Sequence, residues 1–517
     1  MKKKILALTL CLALLVGPVL SVVAYADTGA GYTYDEATNT FTVTTADGLI
    51  AAAAQITGGN CDADIIIAAD IDMANATSAW NPLCNASNML YTGTIDGQNH
   101  TISNFTDINT AHRRGLIARA ADCTVKNLTF VNPVVEGGKH SAVIIGDIFG
   151  GVDASKTIVI DNCKVINGNV KSTGSYVGAL VGSGTVVANL TITNCVVDAT
   201  VSGTDHVGLI VGGEQGATAV NYTFENIVAT GSVTGLKNSG AFGYFCDLNL
   251  KFKNIVSFVE ANGTATTTNV SSFASNTKRC KVEMDNVICL DTPIASADAL
   301  GEKKVDNATI SNVFVLANES ANVYKAIALN GTNACTLTIN GEAVGTDDVA
   351  AWQAATVPAV DIAAAEAKIT TMFAANDTLK TAALNGLNAM FALDVEANGM
   401  QLLSGTTAAS EKTSVRLVIT LTSAEVEALT NVGAYISLSA NAKTTGIKKA
   451  TTCVYTSIKA DDVQVNAELG TYFVLVEIQN IPNASFGSTI YVTPFVTAES
   501  GEVLGEEISF NVTGLIG

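Results

Sequence analysis

LTITNCVV (Leu190–Val197) and, thirty-two residues further on, YTFENIVA (Tyr222–Ala229) decide the fold of this chain. Each puts an apolar residue two before an Asn and another directly after it. The same pattern surrounds Asn104, Asn127, Asn162, Asn194, Asn226, Asn254, Asn286 and Asn312, at successive intervals of 23, 35, 32, 32, 28, 32 and 26 residues. In a plain strand, side chains two before and one after a given residue point to opposite faces. Both can enter one core only if the Asn turns a corner, and Asn is among the few residues that tolerate the left-handed backbone such a corner requires. Eight corners about thirty residues apart, with no crossover helices between them, predict a parallel solenoid in which each coil covers the next. The Asn side chains then form an amide ladder along its axis.

Small residues accompany the corners. SAVIIGDIFGG (141–151), SYVGALVG (175–182), HVGLIVGG (206–213) and SGAFGYF (239–245) mix glycine with apolar residues, as the tight turns of a coil demand. A solenoid needs its ends covered. TTADGLIAAAAQI (44–56) fits that role as a short Ala-rich helix started by Thr45 or Asp47.

Taken with IIIAADIDM (65–73), Trp80-Asn81-Pro82 and YTGTIDGQNHTISNF (91–105), the chain over about residues 33–315 resembles the GLUG-repeat proteins. These include repeat regions of immunoglobulin A protease-like and adhesin-like bacterial surface proteins. The resemblance implies a mainly β protein, a right-handed parallel β-helix of the pectin-lyase-like kind, outside the cell. It transfers no catalytic residue, because the protease chemistry of that family belongs to a separate metal-binding domain.

The first 26 residues read as a secretory signal: Lys2, Lys3 and Lys4, an apolar run from Ile5 to Val23, and the small-x-small pattern Ala24-Tyr25-Ala26. Its removal leaves 25 Lys+Arg against 47 Asp+Glu, a net charge of −22. Such a balance opposes binding to nucleic acid or anionic lipid. The expected location is extracellular or at the cell surface, with no later membrane span; the NVTGLIG end lacks a covalent sorting motif. No HExxH and no zinc-spaced Cys/His cluster occurs, so neither metal nor cofactor is expected.

Beyond the solenoid, assigned to 27–340 with its cap, residues 341–398 form an Ala-rich, partly helical connector, broken near Asn376-Asp377. Residues 399–517 carry strand-like runs, VRLVITL (415–421), AYISLSA (434–440), TTCVYTSI (451–458), TYFVLVEI (471–478), STIYVTPFV (488–496) and EISFNV (507–512), expected as an Ig-like β-sandwich.

The candidate binding carboxylates are Asp70, Asp72, Asp96 and Asp107, with His100 and His112 nearby in sequence. A structural reading competes for most of them; Asp96-Gly97, for example, is a turn dipeptide. The residues just before the corners (Lys126, Asp161, Thr193, Glu225, Lys253, Asp285, Ser311) point outward as a ladder of mixed charge. Two residues after the corners, Val196, Val228, Val256, Ile288 and Phe314 form an outward apolar stripe that must be covered, and the segment 361–391 is the nearest candidate. Cys163 and Cys195 share an inward register, and Cys61 with Cys84 leaves two readings open: a bridge closing a 23-residue loop, or separate thiols. The expected function is a non-enzymatic, adhesin-like protein that binds glycan or an extracellular protein. The alternative is a polysaccharide lyase or glycoside hydrolase on the same helix, weakened by the scarcity of arginine: only Arg113, Arg114, Arg119 and Arg279 precede Arg416.

Overall fold

The corner asparagines have the backbone that the parity argument requires. All eight lie at φ between 50° and 61°. At Asn194, Ile192, Cys195 and Val197 are buried in the core, while Thr193 faces outward. A computed structural model describes residues 25–27, 31–86, 88–148, 155–183, 188–215, 220–263, 269–271, 273–290, 307–316, 321–322, 336–339, 342–344, 356–390, 394–404, 407, 409–422, 431–442, 447–451, 463–466, 471–498 and 501–515. Residues 1–24 of the signal-like segment, and 452–458 of the third C-terminal strand run, lie outside the described residues.

Five long strands pass through the corner unbroken: β1 (Asn189–Ser202), β2 (Asn221–Gly235), β3 (Asn249–Gly263), β4 (Lys281–Leu290) and β5 (Asn307–Leu316). They pair in parallel, with Ile192, Phe224, Phe252, Met284 and Ile310 in one register. Earlier coils follow the same path as two short strands on either side of the corner, such as Thr124–Lys126 and Thr129–Val131. The result is a parallel β-helix in which equivalent side chains stack from coil to coil. The Phe224 and Phe252 rings stack at 5.0 Å, with Phe242 and Phe273 edge-on to Phe252 at 5.1 and 5.0 Å. Each of these buried rings contributes about 1.5–3 kcal/mol by transfer from water.

The opposite side of each coil turns through the Gly/Val motifs. A Cβ on Gly178 would lie 2.2 Å from the Val181 carbonyl oxygen, and one on Gly208 would lie 2.0 Å from that of Val211. No larger residue fits so tight a turn, which explains the glycine in VGALVG and VGLIVGG.

The first helix, α1 (Ala46–Thr57), covers the N-terminal end. Thr45 Oγ1 accepts the Gly48 N–H at 3.1 Å, and Leu49, Ala52, Ala53 and Ile56 form the buried face at helical spacing. After the solenoid come α2 (Ile362–Met372), capped by Asp361, and α3 (Asp377–Met390), where Asn376 Oδ1 accepts the Leu379 N–H. Their buried residues are Ala365 and Ile369 on α2, Phe373 just after it, and Leu379, Ala383 and Leu387 on α3.

The chain divides into two compact units, 1–387 and 388–517. The second consists of antiparallel sheets: one of Asp394–Ser404, Lys412–Thr422, Thr471–Pro482 and Val463–Asn466, another centred on Asn431–Ser437 and Ile490–Ala498. Val415, Ala434, Val492 and Phe495 are buried within this unit. Among the described residues, no helix is long and apolar enough to cross a membrane.

Candidate functional site

Strand alternation places one face of β1–β5 outward ahead of the corner. Two rows of polar side chains run across it in register: Thr223, Lys251, Glu283 and Thr309, then Glu225, Lys253, Asp285 and Ser311. Cation and anion alternate at the coil spacing of about 4.8 Å. Lys253 Nζ lies 3.1 Å from Glu225, and Ser311 Oγ donates to Asp285 at 2.9 Å. An amide ladder borders the rows on the corner side, and a shorter one borders their start on the upstream side, giving way to Lys281 on β4. On the corner side, Asn226 donates to Asn194 (3.0 Å), Asn254 to Asn226 (2.9 Å) and Asn286 to Asn254 (2.8 Å). Five residues upstream, Asn249 Nδ2 donates to Asn221 Oδ1 (3.0 Å), and Asn221 donates through its backbone N–H to Asn189 Oδ1 (2.9 Å). The strip between them is about 16 Å wide, from five residues of strand. Two shallow depressions of about 370 and 400 Å³ lie on it. The first is lined by Asn221, Thr223, Asn249, Lys251, Lys281 and Glu283, the second by Lys251, Lys253, Glu283, Asp285, Thr309 and Ser311. The strip offers hydroxyls, amides and both signs of charge in a repeating array.

The four carboxylates singled out from the sequence each have their own partners and share none of them among the described contacts. Asp70 accepts the Thr101 N–H at 2.9 Å and lies 3.1 Å from His100 Nδ1; that N–H first, then the imidazole, hold its pKa below the ordinary carboxylate value. Asp72 accepts Asn104 Nδ2 at 2.8 Å and the Ala74 N–H at 3.0 Å, and its pKa is likewise lowered, by Asn104 foremost. Asp96 accepts the Gln98 N–H and Asn127 Nδ2, with Lys126 Nζ at 3.3 Å. Asp107 is buried with Arg114 and accepts the Gly115 N–H at 2.8 Å; burial raises its pKa against the pull of the guanidinium. His112 accepts the Lys139 N–H. Among the described residues, no group of three or more His, Cys, Asp or Glu side chains is placed to hold a metal.

Asp96 belongs to the corner ladder of Asn127, whereas Asp72 belongs to a separate amide row, because the strand register sets Asn104 level with Asn132 and Asn167 and not with Asn127. The Asn amide donates to the preceding coil's corner Asn at Asn162, Asn226, Asn254 and Asn286. Where the preceding coil carries Asp just before its corner position, the donor turns to that carboxylate instead: Asn127 to Asp96, Asn194 to Asp161 and Asn312 to Asp285. In the separate row, Asn104 donates to Asp72 and Asn167 to Asn132.

The apolar stripe is closed by the chain itself. Val228, Val256 and Ile288 are fully buried although they lie outside the interior core, and Val196 is 6% exposed. The third helix meets this face at Gly386, where a Cβ would lie 2.6 Å from Thr230 Cγ2 and 3.5 Å from Phe258. The second helix meets it at Phe314, whose ring lies 3.3 Å from Lys368 Nζ.

The sequence reading missed two features. The upstream amide row had a signal, since Asn189, Asn221 and Asn249 each stand five residues before a corner Asn. A second corner had none, because its residue types differ. Arg113, His140, Tyr176 and His206 sit at φ 55–66°, each one residue before a position bridged to the next coil. The ring of Tyr176 stacks on His140 at 5.1 Å and on His206 at 4.7 Å. Asp147, buried nearby, lies 2.7 Å from Arg113 Nε and 3.7 Å from His140 Nδ1. Both faces of Tyr176 are taken by its neighbours, so this column joins coils rather than presenting a ring to a ligand.

No family model matches the chain. A segment of 131 residues, 23% of this chain, is 34% identical to halomucin of Haloquadratum walsbyi, and it spans 1% of that protein's length. A solved structure of a Bacteroides ovatus protein, provisionally assigned as an immunoglobulin A1 protease, is 18% identical, with a TM-score of 0.43, covering 65% of this chain and 88% of that one.

Proposed function

We propose that this is an exported, surface-associated β-helix protein that binds an extended glycan along the outer face of its middle coils. The observation that carries the reading is the strip itself. Two depressions follow one another from Asn221 to Ser311, lined by hydroxyls, amides and alternating charges, with the corner amide ladder along one side and the shorter row of Asn189, Asn221 and Asn249 along the start of the other. A sugar polymer is a chain of repeating hydroxyls, and a rigid array of donors and acceptors at a fixed spacing binds it without losing much side-chain freedom. The signal-like segment from Lys2 to Ala26 supports export, and the segmental match to halomucin supports a surface role.

Lys251 and Glu283 line both depressions and pair in register. Removing a charged hydrogen-bonding partner costs about 1.5–3 kcal/mol, or roughly a tenfold to hundredfold loss of affinity. The test is a glycan array with the full chain, followed by titration of the best ligand into wild type and Lys251→Ala/Glu283→Ala. Binding weakened at least tenfold in the variant, with no release of reducing ends, supports the proposal. A ligand held equally well by the variant moves the site elsewhere, and release of reducing ends turns the reading to an enzyme.

A further inference from the structure

We propose that Cys61 and Cys84 are a disulfide-forming pair that staples the N-terminal cap helix to the first coils of the solenoid. Their sulfurs are 2.7 Å apart, with the Cys84 thiol donating to Cys61, so a bond requires an approach of only about 0.7 Å. The surroundings hold the pair in place. The Cys84 N–H donates to Thr57 Oγ1 at 3.1 Å, and Cys61 Sγ lies 3.5 Å from the carbonyl oxygen of Ile56; both partners belong to the last turn of α1. The adjoining Leu83 bridges to Ile117 on the next coil. A crosslink here closes a 23-residue loop and joins the helix that covers the solenoid's open end to the coils beneath it. The ends are where a stacked array frays first, because terminal coils have a neighbour on one side only.

The two sulfurs differ in access. Cys61 is partly exposed, whereas Cys84 is fully buried and its thiol is pushed well up by that burial and by Cys61. Cys61 is therefore the entry point. Its thiolate attacks one sulfur of an incoming low-molecular-weight disulfide, forming a mixed disulfide and releasing one thiolate. The Cys84 thiol then gives up its proton, and its sulfur displaces the second thiolate. Two cysteine thiols are oxidised by two electrons, and the incoming disulfide is reduced to two thiols. The inference does not depend on glycan binding. The described hydrogen bonds of the Cys163 and Cys195 thiols go to backbone carbonyl oxygens, not to a second sulfur.

The experiment exposes the native full chain to oxidised glutathione, blocks remaining thiols, digests without reduction and reads peptide masses. A peptide pair joined through Cys61 and Cys84, two hydrogens lighter than the separate peptides, is the expected result. Oxidised wild type should also melt higher than reduced wild type, while Cys61→Ser and Cys84→Ser should melt at one temperature in either condition. Separately blocked Cys61 and Cys84, a lasting glutathione adduct on Cys61, or a joint to Cys123 would overturn the proposal, and none of these readouts depends on a variant that folds.

Discussion

Asn226 shows how much one residue does in this molecule. It turns its coil at φ 58°, donates to Asn194 and accepts from Asn254. Asn226→Ala should destabilise by about 1–3 kcal/mol, from the broken ladder and the left-handed backbone together. Asn226→Gly loses the same amide but tolerates the backbone, so it should retain roughly 1 kcal/mol more than the alanine variant. Urea unfolding of the two variants separates the terms; equal losses would mean that the corner stores no backbone preference. His140 supplies a pH dependence. Burial holds its pKa below the ordinary histidine value, against the pull of Asp147 and the Ser183 carbonyl. The folded state therefore favours the neutral ring, while the unfolded chain takes up a proton near pH ~6.5. Its share of stability is present above that pH and is lost as pH falls towards the folded pKa. His140→Gln should flatten the decline in unfolding free energy between about pH 7.5 and about pH 5 relative to wild type. The corner asparagines from Asn127 to Asn312 were legible because coil after coil repeats them; Asn104 shares their local pattern but stacks with Asn132 and Asn167, which only the strand register reveals. The His140 column was not legible, since its members share a backbone conformation rather than a side-chain type.

Among the elements, the Ala-rich helices have the clearest task. An outward row of Val228, Val256 and Ile288 cannot face water over several coils, and the small residues of α2 and α3 let the helices approach closely. Gly386 marks a close approach. In an ordinary helix Gly→Ala stabilises by up to about 1 kcal/mol. Here a new Cβ would meet Thr230 Cγ2 at 2.6 Å, on a stiff β-branched side chain whose Oγ1 is held by Asp198 at 3.2 Å. Gly386→Ala should therefore lower the melting temperature, and Thr230→Ser, which removes only the methyl, should rescue it. Additive effects in that double-mutant cycle would show that α3 does not dock at this point. The helices themselves were readable from composition and from the break at Asn376. The apolar stripe they cover was readable too; the individual contacts at Gly386 and Lys368 were not, because they depend on how the helices lie across the coils.

At the scale of the whole molecule, 47 acidic residues face 28 basic ones, a net charge of −19. Some of these carboxylates are tied into the corner ladder, as Asp96, Asp161 and Asp285 are. The remaining repulsion acts over distances comparable with the Debye length, so salt should screen it. Raising sodium chloride from about 0.02 M to about 0.2 M should raise the melting temperature, the reverse of what dominant surface ion pairs would give.

The solenoid, its corners and its cap were determined by the sequence alone, because each depends on local backbone preference and on apolar periodicity repeated coil after coil. Tertiary structure alone decided what the carboxylates do. Asp72 and Asp96 looked like candidate binding groups, yet they accept amides one coil further on, from Asn104 and Asn127. Those partners lie 32 and 31 residues away in the chain. Coil length varies from repeat to repeat, so no fixed sequence spacing could have paired them; only the stacking of one coil on the next brings the groups within hydrogen-bonding distance.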